Sequence, residues 1–173
     1  MTSLAFMMLE TPLCPLAALA NDRGVVALGF AGHEDPPVEH WLGKRFENVR
    51  IEPGEAPAFG PLRAWVAGYF ARRVVDARDV PLDLRGTDFE LAVWHELLTI
   101  PSGKTTTYGA IANKLELGKT GARAVGGAVG RNPVGVLVPC HRVVGANGAL
   151  TGYGGGLPRK RWLLHHEGAL LVP

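Results

Sequence analysis

The chain has 173 residues, of which 47% are hydrophobic and 20% are charged, and its formal net charge is +2. This length and apolar content are enough for one ordinary domain or two small domains with a buried core, which excludes a disordered chain. The small net charge excludes a strongly basic nucleic-acid coat protein, so any binding to DNA must depend on the local placement of Arg and Lys.

The N-terminal segment shows no targeting signal. It has apolar pieces around residues 4–9, but it lacks a basic leading region and is interrupted by Glu10 and Pro12. No stretch approaches the roughly 18 uninterrupted apolar residues that span a bilayer. The chain has two cysteines, Cys14 and Cys140. A cytosolic chain with a full core needs no disulfide, so we expect free thiols and a cytoplasmic location.

In the N-terminal half, short apolar runs are separated by proline and by turn residues. This pattern predicts three strands, at residues 5–9, 16–20 and 25–30. Periodicity is weak in the next region, where we expect only a short helix near residues 38–46. Apolar residues then recur at helical spacing and predict an amphipathic helix that packs on a core; they are Phe59, Leu62, Trp65, Val66, Tyr69 and Phe70.

A connector at residues 79–85 leads to a second predicted helix. Thr87 or Asp88 is suited to cap its N-terminus, and Pro101 lies beyond its end. Its spacing predicts a buried face made of Phe89, Val93, Leu97 and Leu98.

Two further short helices follow, one capped by Thr107 and one over about residues 121–130, with a turn at residues 117–118 between them. Helix, tight turn and helix is a DNA-docking layout, but helical hairpins are also common in protein cores, so spacing alone leaves both interpretations open.

The second helix of this hairpin carries almost only small side chains, and Arg123 is its one long side chain before Arg131. The small residues are Gly121, Ala122, Ala124, Gly126, Gly127 and Ala128. Such a helix can approach another backbone closely. Close packing on a neighbouring helix and insertion into a DNA groove, with Arg123 directed toward the bases, are both compatible with this composition.

Several motif-like segments do not carry the function they resemble. The Gly-Lys-Thr triplets at residues 103–105 and 118–120 lack the earlier glycine of a phosphate-binding loop. The glycine-dense loop at residues 152–156 does not open a helix after a strand, as a dinucleotide site would require. Cys and His residues do not occur at metal-ligand spacing, so we expect no metal site.

An apolar, strand-like run at residues 137–139 leads directly into Cys140 and His141. The thiolate form of cysteine is the nucleophile. Adjacent residues on a strand point to opposite faces, so contact between the two side chains would need a bend or a helical turn. On spacing alone, a buried structural cysteine and a nucleophilic cysteine both remain open.

The pentapeptide Pro139-Cys140-His141-Arg142-Val143 resembles the active-site signature of the O6-alkylguanine-DNA alkyltransferases, also called methylated-DNA–protein-cysteine methyltransferases. Further matching segments are Gly86-Thr87 with Phe89, Thr107-Tyr108-Gly109, Arg123-Ala124-Val125-Gly126, Asn132-Pro133, and Leu163-Leu164 with Glu167. The resemblance covers about residues 86–168. It implies an α+β fold, with an N-terminal α/β domain at residues 1–80 that contains a small antiparallel sheet. Residues 81–173 would form a mostly helical domain with a helix-turn-helix.

The resemblance implies DNA repair by direct reversal, in which one molecule moves one alkyl group irreversibly from O6-alkylguanine, or from O4-alkylthymine, to its own Cys140. His141 is then the base that acts through a bound water, and Glu167 is the carboxylate that orients it. Tyr108 would donate a proton toward guanine N3. Asn132 would tie the helix-turn-helix to the active-site segment, although it is also compatible with a simple turn before Pro133.

The family also implies how DNA is bound. Arg123 would fill the gap left by the flipped-out nucleotide, and Tyr108 would lie beside the DNA. The small-residue helix would enter the minor groove through Ala122, Ala124 and Gly126.

The guanine pocket would comprise the backbone at Cys140 and Val143, together with Tyr153, Gly154 and Gly155. Many relatives carry a larger or hydroxylated residue where Gly154 lies. We therefore expect this chain to accept a wider range of alkyl groups.

The implied partner is double-stranded DNA that bears O6-alkylguanine, bound by a monomer in the cytoplasm, at the nucleoid if the source is a bacterium. No cofactor is implied, because the alkylated base is itself the donor. Three other functions stay open: a lesion-binding protein without transfer, a helix-turn-helix regulator, and a cysteine hydrolase. The presence of Cys140 argues against the first, and the lack of polar base-reading side chains argues against the second.

Overall fold

The structure is a computed structural model and describes residues 2–42, 45–46, 48–118 and 120–170. The chain divides into two compact units. The first comprises Met1–Arg85 and Pro133–Leu137, and the second comprises Gly86–Asn132 and Val138–Pro173. Together they contain a small sheet and several short helices, which confirms the α+β class. Within the described residues, no helix is both long and apolar enough to cross a membrane.

A four-stranded sheet forms the centre of the first unit. Its spatial order is β3-β2-β1-β4, where β1 is Thr2–Leu9, β2 is Leu16–Ala20, β3 is Val25–Phe30 and β4 is Val49–Pro53. The first three strands are antiparallel neighbours, as the family resemblance implies, and β1 begins three residues before the predicted start at residue 5. Every residue of β2 and β3 is buried, which explains their continuous apolar runs.

The expectation of an antiparallel sheet needs correction at β4, because β4 pairs with β1 in parallel. The chain leaves β3 at Phe30 and enters β4 only at Val49. This connection is long enough for the crossover that parallel pairing requires. β4 is mostly exposed or half-buried, so it lacks the apolar pattern of a core strand. The helix expected near residues 38–46 is a 3₁₀ helix over Val38–Trp41, and Gly43 and Lys44 lie outside the described residues.

The outer edge of β3 is covered by two extended segments. Val25 donates its backbone N–H to the carbonyl of Pro81 at 2.9 Å, and Leu28 donates to the carbonyl of Pro133 at 2.9 Å. Gly135 donates back to the carbonyl of Leu28 at 2.7 Å. Covering an edge strand prevents its pairing with another chain. These bonds also explain why Pro133–Leu137 joins the first unit, although it follows the predicted boundary at residue 80. The first unit also contains α1 (Phe59–Phe70), whose buried face is the predicted one except that Phe70 is half-buried.

The second unit begins with α2 (Asp88–Leu98). Thr87 caps it as predicted: its hydroxyl accepts the N–H of Glu90 at 3.2 Å, and the Glu90 carboxylate accepts the N–H of Thr87 at 3.0 Å. The buried face consists of Glu90, Val93, Trp94 and Leu97, whereas Phe89 and Leu98 are only half-buried. The prediction of a buried Phe89 and a buried Leu98 was wrong. It considered only apolar side chains, whereas Glu90 and the Trp94 indole are buried because their polar atoms have hydrogen-bond partners.

The remaining elements of the second unit are β5 (Thr106–Thr107), α3 (Tyr108–Lys114), α4 (Gly121–Gly130), β6 (Val143–Val144) and α5 (Leu157–His166). α3 and α4 form the predicted helix-turn-helix. Gly121 permits their close approach, because a Cβ there would lie 3.1 Å from the Cβ of Ala112. The Trp94 indole of α2 donates a buried hydrogen bond of 2.9 Å to the carbonyl of Ala128 in α4, so α4 is fixed to the helix before the hairpin.

Candidate active site

A short parallel ladder organises the site. β5 pairs with β6 in the register Thr106 to Val143 and Thr107 to Val144. Thr107 ends β5 and caps α3, since its hydroxyl accepts the N–H of Ala110 at 3.1 Å, and Tyr108 is therefore the first residue of α3. A 3₁₀ turn over Cys140–Arg142 directly precedes β6. The ladder thus connects Tyr108 to the segment that contains Cys140.

The apolar run before Cys140 is not the expected strand. Leu137 ends a turn, Val138 lies in a bend and Pro139 has no regular structure, and the N–H of Cys140 donates to the carbonyl of Val138 at 2.8 Å. The 3₁₀ turn that follows supplies the helical turn that the sequence argument required, so strand alternation does not separate the Cys140 and His141 side chains.

His141 and Glu167 form a buried pair. His141 Nε2 lies 2.7 Å from Glu167 Oε1, and the two side chains are 0% and 1% exposed. Burial alone would raise the pKa of Glu167, but the hydrogen bonds and charges of His141 and Arg142 outweigh burial and hold this pKa well below its ordinary value.

An ionised carboxylate can only accept a hydrogen bond, so Nε2 of neutral His141 carries the proton and Nδ1 carries the lone pair. Within the described part of the chain, Nδ1 is buried without a hydrogen-bond partner. Burial also lowers the pKa of His141, and Glu167 opposes this effect. His141, the residue after Cys140, is therefore a neutral imidazole whose Nδ1 is the basic nitrogen.

Cys140 is a free, partly exposed thiol. Burial raises its pKa, while a hydrogen bond from the Asn132 side chain, the charge of Lys160 and backbone hydrogen bonds oppose the rise. The thiol form therefore predominates at neutral pH until a base removes the proton. Cys14 is not part of a disulfide in the described structure, and it lies in the connection between β1 and β2.

Asn132 connects the end of α4 to the Cys140 segment. It follows the C-cap residue of α4, and its Nδ2 donates to the carbonyl of Val138 at 2.8 Å. Asn132 therefore does more than form a turn before Pro133, because its side chain bonds both to the backbone of Val138 and to the Cys140 thiol.

Arg142 binds the opposite side of Glu167. Its Nε donates to Oε2 at 2.8 Å and its Nη2 to Oε1 at 2.9 Å, while Nη1 donates to the carbonyl of Ile100 at 2.5 Å. The sequence matched Arg142 only as part of the signature and assigned it no role.

Lys160 is a site residue that sequence reasoning missed. It is fully buried, and its Nζ donates to the carbonyls of Val143 at 2.6 Å, Thr151 at 2.9 Å and Gly152 at 3.4 Å. Arginines flank it in the sequence, and no motif singled it out. The signal that could have found it is helical spacing, because Lys160 shares one face of α5 with Leu163, Leu164 and Glu167.

The exposed face of α4 carries the residues expected to contact DNA. Arg123 and Ala124 are exposed and Ala122 is half-buried, whereas Val125 and Ala128 face the core. A Cβ at Gly126 would lie 3.7 Å from the Tyr108 ring, so the helix passes close to Tyr108. The Tyr108 hydroxyl donates to the carbonyl of Thr151 at 3.3 Å.

The loop after β6 contains the other expected pocket residues. Tyr153 and Gly155 are half-buried, whereas Gly154 is exposed and a Cβ there would meet no atom within 4 Å. Val143 is buried, and its carbonyl accepts the Lys160 bond. Lys160 therefore joins this loop to β6.

Comparison with known proteins identifies the family. The family model described as the DNA binding domain of 6-O-methylguanine DNA methyltransferase matches residues 88–169. A methylated-DNA–protein-cysteine methyltransferase of Mycolicibacterium paratuberculosis is 52% identical over 150 residues, which cover 84% of this chain and 88% of the relative. The chain belongs to the methylated-DNA–protein-cysteine methyltransferase family.

Solved structures of this family share the fold. The crystal structure of the Mycobacterium tuberculosis O6-methylguanine methyltransferase has a TM-score of 0.79 and 40% identity, covering 96% of this chain and 93% of that one. The O6-methylguanine-DNA methyltransferase of Pyrococcus kodakaraensis has a TM-score of 0.66 and 27% identity, covering 95% and 99%. The resemblance stated from the sequence motifs is thereby confirmed, and the likeness extends through the N-terminal half.

Proposed function

We propose that this chain repairs DNA by direct reversal, as a single-turnover methyltransferase that moves the alkyl group of O6-alkylguanine onto Cys140 Sγ. O4-alkylthymine is a second substrate of the same chemistry. The observation that carries the proposal is the buried imidazole of His141, the residue after Cys140, whose Nε2 is held by Glu167 at 2.7 Å and whose Nδ1 has no hydrogen-bond partner in the described structure and is free to act as a base.

In the reaction, His141 Nδ1 takes the thiol proton through a water, and the thiolate attacks the alkyl carbon. The S–C bond forms as the bond between this carbon and O6 breaks, and the electron pair leaves with guanine. Tyr108 donates a proton to guanine N3 and is reprotonated by the imidazolium. The proton then moves from N3 to N1 through solvent, so the net change is a thioether on Cys140 and an unmodified guanine. A thioether is not hydrolysed, so each molecule reacts once.

The second unit would supply the DNA-binding surface. α4 enters the minor groove through Ala122, Ala124 and Gly126, which is compatible with their small size and with the exposure of Ala124. Arg123 fills the stack where the alkylated nucleotide is flipped out. Tyr153, Gly154 and Gly155 then close the pocket around the base. We place the protein in the cytoplasm, where it acts as a monomer without a cofactor.

The direct test is the intact mass after incubation with duplex DNA that contains O6-methylguanine. We expect a gain of one methyl group in the parent protein and in Cys14→Ser, and no gain in Cys140→Ser. Peptide mapping should place the methyl group on Cys140.

The alternatives predict different results. A lesion-binding protein would bind the modified DNA without a mass change, a regulator would not distinguish alkylated from unmodified DNA, and a cysteine hydrolase would act repeatedly without DNA. A methyl gain that persists in Cys140→Ser would overturn the proposed acceptor.

A further inference from the structure

Arg142 is the only side chain of the Cys140–Arg142 turn that bonds to both oxygens of Glu167 in the described structure. Its guanidinium forms the planar, two-bond arrangement that binds carboxylates most specifically. The third nitrogen donates to the carbonyl of Ile100, just after α2. Arg142 is therefore held at a fixed position, and it holds the carboxylate at one orientation.

This arrangement has two consequences for His141. Glu167 Oε1 accepts hydrogen bonds from both His141 Nε2 and Arg142 Nη2, so the carboxylate plane that His141 meets is set by Arg142. The positive charge of Arg142 also offsets the negative charge of Glu167. The carboxylate can then orient the imidazole without strongly favouring its protonated form.

We propose that Arg142 is a positioning residue for alkyl transfer, which acts through Glu167 to orient His141 and to keep it available as a neutral base for Cys140. This inference rests on the proposed function and adds a residue to its machinery. The side-chain hydrogen bonds of Arg142 in the described structure go to Glu167 and to the carbonyl of Ile100, so its effect on the reaction is transmitted through Glu167.

The charged groups around His141 all bear on its protonation. Burial lowers its pKa most, Glu167 raises it, and the charges of Arg142 and Lys160 lower it. Cys140, which precedes His141 in the sequence, is also titratable. If the Arg142 charge is removed, Glu167 is less opposed and the pKa of His141 rises. His141 then becomes protonated at a higher pH, and protonated His141 cannot accept the thiol proton.

The test measures carboxamidomethylation of Cys140 by iodoacetamide from pH 5 to 9 in the full chain. Peptide mass spectrometry separates Cys140 from Cys14, which serves as an internal reference thiol. The variants are Arg142→Gln, which removes the charge, and Arg142→Lys, which keeps the charge but loses the planar two-bond contact. The control is Arg131→Gln, since Arg131 also pairs with a buried carboxylate, Glu90, at 2.5 Å.

The acid limb is the part of the pH profile in which the rate of Cys140 carboxamidomethylation falls as the pH is lowered. In Arg142→Gln we expect this limb to move to higher pH. The rate near neutral pH should fall by about 10-fold, less than the roughly 10²–10⁴-fold that a general base contributes, because His141 remains. Arg142→Lys should show a smaller shift of the acid limb and a similar loss of rate. Arg131→Gln should lower the melting temperature without moving the limb.

An unchanged acid limb in both Arg142 variants, with only a lower melting temperature, would overturn the inference and leave Arg142 a structural residue. If Arg142→Gln does not fold, Arg142→Lys decides the matter by the same criterion. Because iodoacetamide needs no DNA, the two tests can fail separately: a shifted acid limb in the Arg142 variants, together with a parent protein that gains no methyl group from DNA, would refute the proposed function alone.

Discussion

Replacement of Arg123 by alanine should separate base flipping from alkyl transfer. Arg123 is exposed in the first turn of α4 between two small residues. A substitution at such an exposed site changes the free energy of unfolding by only about 0.5 kcal/mol or less. Flipping a nucleotide out of a duplex costs on the order of a few kcal/mol. If the inserted side chain offsets about 1.4–2.7 kcal/mol of this, its loss slows repair of duplex DNA by about 10- to 100-fold.

The assay compares the single-turnover rate on duplex DNA containing O6-methylguanine with the rate on free O6-methylguanine base. In Arg123→Ala, the first rate should fall and the second should stay within about 2-fold, since a free base needs no flipping. Arg161→Ala removes the same charge from an exposed position on α5 and controls for general attraction to DNA. Equal losses on duplex and free base would refute the flipping role, as would an equal effect of Arg161→Ala on duplex.

Three further predictions follow from the geometry. Gly154→Ser should fold normally, because a Cβ at this position meets no atom within 4 Å. It should lower the ratio of the benzyl-transfer rate to the methyl-transfer rate. An unchanged ratio would refute a role for Gly154 in setting the size of the alkyl group accepted. Trp94→Phe removes the 2.9 Å bond to the Ala128 carbonyl, and urea titration should show a loss of at least about 1 kcal/mol of unfolding free energy; no loss would contradict the assigned link between α2 and α4. Burial lowers the pKa of His141 in the folded protein. On acidification, His141 therefore becomes protonated at a higher pH in the unfolded chain than in the folded one. The free energy of unfolding should fall below about pH 6.5, by up to about 1.4 kcal/mol per pH unit. His141→Gln should flatten that slope, and an identical slope would show that His141 does not cause it.

Sequence patterns predicted those elements whose stability is local. β2 and β3 have the predicted bounds because their apolar runs end at turn residues, such as Asn21, whose side chain accepts the backbone N–H groups of Arg23 and Gly24. The helix cap at Thr87 was likewise predicted from the local sequence. β4 was not predicted, because it pairs with β1 through a long crossover and has little apolar periodicity of its own. Long-range pairing of this kind is set by tertiary structure.

The site follows the same division. The motif resemblance located Cys140, His141 and Glu167, and the structure brings His141 and Glu167 into contact. Composition and spacing alone did not separate a nucleophile from an inert thiol. The acceptors of Lys160 lie outside α5, in a loop and a strand, so only its helical spacing with Leu163 and Leu164 indicated that it is buried, and the sequence analysis did not use that signal.

The two buried cations give the proposed reaction a direction for its proton. Lys160 favours the thiolate form of Cys140, and both Lys160 and Arg142 disfavour a protonated His141. In an ion pair of Cys140 thiolate and His141 imidazolium, the cations stabilise the thiolate but destabilise the imidazolium. They therefore do little to stabilise this ion pair as a resting state. They do favour a thiolate whose proton has moved beyond His141. The balanced reaction delivers that proton to guanine, so the charges around Cys140 favour proton transfer to the departing base over its retention on His141.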